Sequence, residues 1–394
     1  MTHKLSNRVK SVKPSPTLAI TARAAELRAA GQDVIGLGAG EPDFDTPQHI
    51  KQAAITAINE GKTKYTPVDG TASLKQAIID KYKRDNGLDY NADQILVSSG
   101  GKQSFYNLAQ AVLDDGDEVI IPAPYWVSYP DMVILAGGVP VIAKANASQN
   151  FKINAGQLRG LINENTRLFV LNSPSNPTGM AYTEDELKAL AEVLNEFPRI
   201  LIATDDMYEH ILWTEKPFIN ILNTNPELYD RTLVLNGVSK AYSMTGWRIG
   251  YAGGPAEIIK AMKKVQSQST SNPCSISQAA AEAALNGPQD CIAEMLKSFK
   301  ERHDYVVNRL NKIPGIECLP ADGTFYVFPD ITSLIDKTDG INSDLDLAEK
   351  LIEEAGVAVV PGTAFGSPGH MRISIATSMD NLTEALNRIE QFAS

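Results

Sequence analysis

The sequence predicts an α/β fold with a large three-layer α/β/α domain, whose sheet is mostly parallel, and a smaller α+β domain. Short apolar runs alternate with longer stretches of helical periodicity through the middle of the chain. This alternation is typical of parallel strands that helices cover on both faces. The 394 residues, of which 43% are hydrophobic, also suffice for two domains with separate cores.

The predicted strands of the large domain are apolar runs that are too short to be typical helices. They are residues 95–97, 118–121, 167–171, 200–203 and 232–235. Between them, the spacing of apolar residues in 102–113 and 184–194 predicts helices. Because parallel strands end at the same edge of a sheet, we expect the segments that follow these strands to form a ligand site.

A different pattern begins near residue 275, where helical periodicity runs to residue 310 with one interruption at Asn286-Gly287-Pro288. The elements expected after it are strands at 324–328, 357–360 and 371–375 and a closing helix at 380–392. We expect residues 291–394 to form the smaller domain together with the N-terminal segment 1–45. Residues 46–290 would then form the large domain.

Composition argues against several classes of protein. A formal net charge of -11 disfavours a general nucleic-acid-binding surface. The first residues lack the apolar core of a secretory signal, and we find no run of about 20 apolar residues that would predict a membrane span. Cys274, Cys291 and Cys318 are too widely spaced to suggest a disulfide framework or a zinc site, and no histidines stand at ligand spacing on one helix face. We therefore expect a cytoplasmic protein without a metal.

Lys240 is the most informative single residue. It follows the apolar run 233–235 closely, and Arg248 stands eight residues later. A lysine amine becomes a nucleophile toward carbonyls when burial or a nearby cation lowers its pKa, and an arginine is a fixed fork for phosphate. A single lysine is more often an ordinary solvated side chain. Together with Arg248, however, Lys240 suggests a pyridoxal phosphate site.

The run Ser98-Ser99-Gly100-Gly101-Lys102 passes from a predicted strand to a predicted helix. Two glycines allow the backbone to approach an anion closely, and the helix start offers unpaired amide donors. Tight turns also use glycine for other reasons, so this signal is weak by itself. It is consistent with a phosphate cradle.

Asp205 comes at the carboxyl end of the strand predicted at 200–203. An unpaired carboxylate at a buried strand end is costly, so a cationic partner is expected. A protonated pyridine nitrogen would fit, and such a pairing keeps the cofactor an electron sink. A helix cap or a salt bridge is an equally good explanation of Asp205 taken alone.

Two further loops follow buried strands. In the first, 172–179, Pro177 restricts the backbone so that the Asn176 amide can donate to a ligand oxygen, although the loop also reads as plain turn structure. In the second, Trp126 follows Pro124-Tyr125 and either fills the core or stacks on a planar ring.

Taken together and in this order, these motifs resemble those of the class I pyridoxal-phosphate aminotransferases of fold type I, and most of all the bacterial branch of the aspartate aminotransferases. The resemblance covers essentially the whole chain. It rests on the asparagine loop, Asp205 with Tyr208 three residues on, Lys240 with Arg248, and a late arginine, Arg372.

The resemblance implies a role for each matching residue. Lys240 would hold pyridoxal 5'-phosphate as an imine and move a proton at the substrate α-carbon, while Asp205 would pair with the pyridinium nitrogen. Asn176 and Tyr208 would hydrogen-bond the ring oxygen, and Trp126 would stack on the ring. The phosphate ligands implied are Gly101 and Lys102, through their backbone amides, Arg248, and Tyr65 from the neighbouring subunit. A homodimer with shared active sites is therefore expected.

Substrate recognition follows from the same resemblance. Arg372 would bind the α-carboxylate bidentately, a task that lysine does not copy, and Gly40 would add a backbone donor from a mobile loop. Two departures from the animal and enteric branch matter: Gly237 replaces a phosphate-binding serine, and 266–271 lacks the arginine that binds the second carboxylate. Lys102 is the expected substitute for that arginine.

The implied activity is reversible transfer of the amino group between L-aspartate and 2-oxoglutarate. Lys13, in Lys13-Pro14, also resembles bacterial members that accept prephenate, and a broad-range or aromatic aminotransferase is a further alternative. A pyridoxal-dependent lyase or synthase would share Lys240, Asp205 and Arg372. A regulatory protein with a vestigial aminotransferase domain would need an attached DNA-binding module or a missing lysine, and we find neither in the sequence.

Overall fold

The computed structural model describes residues 3–14 and 16–394. Its largest sheet has seven strands, which are β2 (Ile95–Ser98), β3 (Glu118–Ala123), β4 (Val139–Lys144), β5 (Thr166–Asn172), β6 (Leu201–Asp205), β7 (Thr232–Gly237) and β8 (Gly250–Gly253). Their spatial order in the sheet is β2-β8-β7-β6-β5-β3-β4. Only β8 runs antiparallel to its neighbours, so the sheet is mostly parallel as the sequence predicts.

Helices cover both faces of this sheet, because alternate side chains of each buried strand point to opposite sides. On one face, Val97, Phe169 and Val234 pack in one apolar core, and on the other Leu96, Val170 and Leu233 pack in a second core. The helices between residues 48 and 286 are α3 (Gln48–Asn59), α4 (Ala72–Lys81), α5 (Gly101–Val112), α6 (Ser128–Leu135), α7 (Ala155–Leu161), α8 (Glu184–Asn195), α9 (Ile221–Thr224), α10 (Ala256–Ser267) and α11 (Ser275–Asn286). The predicted three layers are confirmed.

A third core lies among the C-terminal elements, where Phe299, Leu347, Ile373 and Leu386 pack together. The helices of this part are α12 (Asp290–Leu310), α13 (Thr332–Lys337), α14 (Asp344–Glu354) and α15 (Met379–Ala393). Its strands are β9 (Tyr326–Val327), β10 (Val357–Ala358), β11 (Val360–Pro361) and β12 (Met371–Ser374), and β12 pairs antiparallel with β11 and β9.

The N-terminal segment contains α1 (Asn7–Ser11), α2 (Pro16–Ala29) and β1 (Ile35–Gly36). Strand β1 pairs in parallel with β10, so the start of the chain joins the C-terminal elements. This pairing is in keeping with the smaller unit expected from the sequence, although the boundaries at 45/46 and 290/291 stay a prediction. Within the described residues, we find no helix with the length and apolar character needed to cross a membrane.

Two strands of the large sheet were not predicted from the sequence. Strand β8 reads Gly-Tyr-Ala-Gly, and glycine is unfavourable in strands by propensity. Packing explains both glycines, since a Cβ on Gly250 would lie 2.2 Å from the Gly101 nitrogen and one on Gly253 would lie 2.9 Å from the Tyr90 ring. Strand β4, at the edge of the sheet, was also missed, and the run predicted at 357–360 is divided between β10 and β11.

Candidate active site

A cavity of about 460 Å³ lies at the carboxyl ends of the central parallel strands. It brings together residues that are far apart in the sequence. The predicted site residues that line it are Gly40, Gly101, Lys102, Trp126, Asn176, Asp205, Tyr208, Lys240, Arg248 and Arg372. The sheet thus converts separate strand ends into one pocket.

The charge of this cavity is opposite to that of the whole chain. Its lining includes Lys102, Lys240, Arg248 and Arg372, against the carboxylates of Asp205 and Glu41. A positive pocket in a chain with a net charge of -11 is a local feature, and it attracts anions.

Lys240 lies three residues beyond the end of β7, and its Nζ donates to the Gly40 carbonyl. The ammonium group is 6.0 Å from the centroid of the Tyr208 ring and 5.7 Å from that of Phe325. Burial, helped by the charge of Arg372, lowers the pKa of Lys240 to about 8. The amine is therefore much closer to its reactive neutral form than an ordinary lysine.

Asp205 is the last residue of β6 and reaches the cavity floor. Its Oδ2 accepts a hydrogen bond from the Tyr129 hydroxyl at 2.5 Å, and its Oδ1 accepts one from the Met207 amide at 3.2 Å. Burial raises the pKa of the carboxyl, while these two donors and Lys240 oppose the rise. A cation bound beside Asp205 would stabilise its charged form.

Arg372 is only 2% exposed, yet the two hydrogen-bond acceptors that it contacts among the described residues are both neutral. It donates to Asn176 Oδ1 at 2.9 Å and to the Gly38 carbonyl at 2.7 Å, while its buried Nε has no hydrogen-bond partner among residues 3–14 and 16–394. The guanidinium also lies 4.3 Å from the centroid of the Tyr326 ring. A buried guanidinium with neutral partners and a free donor is suited to bind a carboxylate.

Hydrogen bonds at the backbone and at the side chain fix the orientation of Asn176. Its backbone amide donates to Asn172 Oδ1 at 2.9 Å, and its side-chain oxygen accepts from Arg372. The Asn176 Nδ2 is therefore the end that remains to donate to a ligand oxygen. Tyr208, which also lines the cavity, has its hydroxyl 3.0 Å from that of Tyr326.

An anion cradle is formed where β2 leads into α5. Gly100 has a φ of 91°, and a Cβ there would lie 2.3 Å from Arg248 Nη2, so glycine is needed for the guanidinium to lie against the loop. Gly101 and Lys102 open α5, where the first amide groups of a helix lack intrahelical partners. Arg248 is held by the Thr245 carbonyl at 2.8 Å, and together these groups suit a phosphate.

The Lys102 side chain points along the same cavity, with its Nζ 5.2 Å from the centroid of the Trp126 ring. Burial lowers the pKa of Lys102, and the charge of Arg248 adds to the effect. Trp126 packs edge-to-face on Tyr129, with 5.1 Å between ring centroids. Trp126 lines the pocket and also packs against the edge of an apolar core, so its stacking on a planar ring stays a prediction.

Two candidates from the sequence lie outside the cavity lining of this single chain. Tyr65 is 92% exposed and lines a separate surface cleft with Lys64 and Thr66. Lys13 is exposed and lies beside Asp131 of α6. Burial raises the pKa of Asp131, and the nearby Lys13 opposes part of this rise. Gly237, at the end of β7, is closely packed, because an added Cβ would lie 3.1 Å from the Gly250 Cα and the Ile249 carbonyl oxygen.

Sequence reasoning missed several residues that shape this site. Tyr129 is hydrogen-bonded to Asp205, and Tyr326 is hydrogen-bonded to Tyr208. Glu41 and Thr17 line the cavity. Tyr129 stands three residues after Trp126, one helical turn away at the start of α6, and that spacing is the one signal that could have found it. Tyr326 lies in an apolar run that reads only as a buried strand.

Comparison with known proteins agrees with this geometry. Residues 32–389 match the family model for aminotransferase class I and II. An aspartate/prephenate aminotransferase of Nitrosomonas europaea is 60% identical over 99% of this chain and 100% of its own length. An aspartate aminotransferase of Bacillus sp. strain YM-2 is 51% identical, with full coverage of both chains.

Solved structures show the same similarity. The aspartate aminotransferase from Rhizobium meliloti superposes with a TM-score of 0.96 at 50% identity, covering 100% of this chain and 99% of its own. The Thermus thermophilus aspartate aminotransferase with maleate gives a TM-score of 0.93 at 43% identity, covering 99% and 100%. The chain therefore belongs to the class I and II aminotransferases, and it is an enzyme of the transaminase type.

Proposed function

We propose that this protein transfers the amino group reversibly between L-aspartate and 2-oxoglutarate, with pyridoxal 5'-phosphate bound at Lys240. The observation that carries the proposal is the joint placement of Lys240, Asp205 and Arg372 around one cationic cavity. Each supplies a different requirement: a reactive amine, a carboxylate for a pyridine nitrogen and a carboxylate receptor. The similarity to proteins named aspartate aminotransferase supports the choice of substrate.

The residues present fit the cofactor. A phosphate suits the glycine turn, since side chains at Gly100, Gly101 or Gly250 would collide with Arg248, Met207 or the α5 backbone. An aldehyde suits Lys240, whose pKa is lowered to about 8. A protonated pyridine nitrogen suits Asp205, because its carboxylate accepts a hydrogen bond from Tyr129 and would be stabilised further by a cation.

The chemistry supplied by bound pyridoxal phosphate is that of an electron sink for charge developing at the substrate α-carbon. Asp205 would keep the ring nitrogen protonated, and Asn176 and Tyr208 would donate hydrogen bonds to the ring oxygen. The Lys240 amine would take the proton from the substrate α-carbon and return it. Arg372 fixes the α-carboxylate, so the proton to be moved stays within reach of Lys240.

Substrate choice rests on a second cation. If Arg372 binds the α-carboxylate, a second cation is needed for the distal carboxylate. The flexible side chain of Lys102, whose ammonium group lies over the Trp126 ring, can bind it. One relative was solved with maleate, which is a four-carbon dicarboxylate. These observations favour dicarboxylic substrates, and a charge-assisted contact of about 1.5–3 kcal/mol would give a preference of roughly ten- to a hundredfold.

Prephenate is a second candidate amino acceptor. A relative at 60% identity is named aspartate/prephenate aminotransferase. Lys13 stands just before α2, whose Thr17 and Thr21 line the cavity, so this end of the pocket can meet a larger substrate. We therefore include prephenate in the proposed substrate range, with broad-range or aromatic donors as the alternative.

A homodimer with shared active sites is part of the proposal. Tyr65 is 92% exposed and lies outside the lining of its own cavity, and Ile55 and Ile58 of α3 are further apolar residues with exposed side chains. We propose that Tyr65 reaches the phosphate of a second copy. The free thiols of all three cysteines suit a reducing compartment, and we place the reaction in the cytoplasm.

A steady-state panel of amino donors tests this proposal. Aspartate, glutamate, alanine and phenylalanine would be assayed with 2-oxoglutarate as acceptor, and aspartate and glutamate with prephenate as acceptor. We expect the highest kcat/KM for aspartate with 2-oxoglutarate. A higher kcat/KM for phenylalanine would contradict the aspartate assignment and favour an aromatic aminotransferase.

A further inference from the structure

Glu209 occupies an unusual position directly behind the active site. It follows Tyr208, which lines the cavity, but its own carboxylate turns away into the protein and is only 3% exposed. A buried carboxylate is costly unless it is paired and hydrogen-bonded. Its partners therefore matter for the local structure.

Three side chains from other elements satisfy this carboxylate. Lys81, at the end of α4, forms an ion pair with Oε1 and is 1% exposed. Asn86 Nδ2 donates to Oε2 at 2.6 Å, and Asn236 Nδ2 donates to Oε1 at 2.7 Å. Lys81 also donates to Asn86 Oδ1 at 2.8 Å, so the group forms a closed network.

The bond from Glu209 to Asn236 joins two strand ends that carry the chemistry. Glu209 lies four residues after Asp205, the last residue of β6, and Asn236 lies on β7 four residues before Lys240. Asn236 Oδ1 also accepts from the Gly237 amide at 2.7 Å, which fixes the start of the loop that leads to Lys240. Beyond the strands, the backbone link between these ends is the Asp206 amide on the Leu235 carbonyl.

Lys81 has a different task in this network. It neutralises Glu209, and His210 Nε2 lies 3.5 Å from Glu209 Oε1 and 3.4 Å from Asp85 Oδ2. Asp85 thus meets Glu209 and His210 closely although it is distant from them in the sequence, but the Lys81 ammonium already lies against this group. Lys81 balances the charge of Glu209, whereas Asn236 links Glu209, just after β6, to the end of β7.

We propose that Glu209 and Asn236 are positioning residues, which hold the ends of β6 and β7 so that Tyr208 and Lys240 face the same reacting atoms. This inference rests on the proposed function, because it concerns the same site. Neither residue lines the cavity. Their loss should therefore disturb the geometry of the reaction more than the recognition of the substrate carboxylates by Arg372, which lies on β12.

The first variant is Asn236→Ala, which removes the link and leaves the Lys81–Glu209 pair in place. We expect kcat with aspartate to fall about ten- to a hundredfold, because small displacements of reacting groups are costly. The KM for aspartate should stay within about threefold of wild type, since uniform binding is retained. The affinity of the apoprotein for pyridoxal phosphate, measured by absorbance titration, should fall as well.

Asn107→Ala is the matched control. Asn107 is also a fully buried asparagine, and its Nδ2 donates to Gln266 Oε1 at 2.8 Å between α5 and α10. We expect Asn107→Ala to lower the Tm without lowering kcat or cofactor affinity. If Asn236→Ala behaves as Asn107→Ala does, the role of Asn236 is structural only and the proposal is wrong.

A pair of double variants tests the link at constant charge and covers the case in which Asn236→Ala does not fold. Lys81→Met/Glu209→Gln removes both charges, but the glutamine oxygen can still accept from Asn236. Lys81→Met/Glu209→Met removes the same charges and the acceptor. Replacing a buried ion pair is often tolerated, so kcat of the glutamine variant should stay within about threefold of wild type. The methionine variant should lose kcat as Asn236→Ala does.

Equal kcat values in the two double variants would overturn the proposal. The wild-type enzyme is measured in the same assay, so the two failures can be told apart. A wild type that transaminates no donor would refute the proposed function, whereas an active wild type with indistinguishable double variants would refute only the positioning role.

Discussion

The Tyr129 hydroxyl donates a hydrogen bond to Asp205 Oδ2 at 2.5 Å. Tyr129 is 1% exposed and lies on α6, one turn from Trp126, whereas Asp205 ends β6. Burial raises the pKa of Asp205, and the Tyr129 hydrogen bond is the largest of the effects that lower it. Tyr129 thus helps to keep Asp205 charged for a cation on the cavity floor.

The change Tyr129→Phe should raise the pKa of Asp205 further and weaken the binding of a protonated pyridine nitrogen. A hydrogen bond to a charged group contributes about 1.5–3 kcal/mol, so we expect the dissociation constant for pyridoxal phosphate to rise roughly ten- to a hundredfold. Absorbance titration of the apoprotein measures this constant. Tyr106→Phe, on the partly exposed side of α5, is the control and should leave it unchanged. An unchanged constant in Tyr129→Phe would show that Asp205 does not depend on this hydroxyl.

The change Lys240→Ala should abolish turnover and covalent attachment of the cofactor. General acid–base transfer alone accounts for about 100- to 10,000-fold in rate, and we expect kcat to fall at least that far. Borohydride treatment of the loaded wild type should add mass to the tryptic fragment that contains Lys240, and the same fragment of the variant should stay unmodified. Near-wild-type turnover in Lys240→Ala would refute the assignment.

The change Lys102→Ala should raise the KM for aspartate much more than the KM for alanine or phenylalanine. The reason is that Lys102 is proposed to read only the distal carboxylate, which the other two substrates lack. Steady-state kinetics with the three donors measure the difference, which should be about ten- to a hundredfold for aspartate. Lys188→Ala, at an exposed position of α8, should change none of the three. Equal increases for all donors would mean that Lys102 acts through phosphate or folding rather than specificity.

The lowered pKa of Lys240 predicts a pH dependence of stability in the apoprotein. The folded-state pKa is about 8 and the reference value is 10.5, so the unfolded chain binds more protons between these values. The free energy of unfolding therefore increases as the pH rises from about 8 to 10.5. Below about pH 8 the charged, buried Lys240 amine destabilises the folded apoprotein to its full extent.

The variant Lys240→Met isolates this cost. We expect its apoprotein to be more stable than wild type near pH 7, and the difference in the free energy of unfolding to shrink by about 2 kcal/mol by pH 10. Urea unfolding at both pH values measures it. Because other groups titrate equally in both proteins, a difference that does not change with pH would contradict the lowered pKa of Lys240.

Much of the fold could be predicted from the sequence because local patterns specify it. The runs that became β2, β3, β5, β6 and β7 are continuous and apolar, as expected for strands buried on both faces. Strand β8 could not be predicted in this way. Its glycines are explained by close contacts with Gly101 and Tyr90, which exist only after the chain has folded.

The candidate site also contains some residues that could be predicted from the sequence and others that could not. Lys240, Asp205, Asn176 and Arg248 stand in motifs that carry their own chemistry, and strand ends meet at one sheet edge by general rules. Tyr326 and Glu209 carry no such signal, since a tyrosine in an apolar run or a glutamate after a tyrosine is common in any sequence. Their importance lies in the partners they meet, Tyr208 for the one and Asn236 for the other.

The sequence by itself determined the α/β architecture and the residue types that hold a phosphorylated aldehyde and a carboxylate, because periodicity and motif spacing are local properties of the chain. Only the tertiary structure decided which neutral groups surround Arg372, how far burial lowers the pKa of Lys240, and that Lys81 of α4 compensates Glu209 behind Tyr208. These are effects of burial and of long-range contact, and both arise only when distant segments pack together.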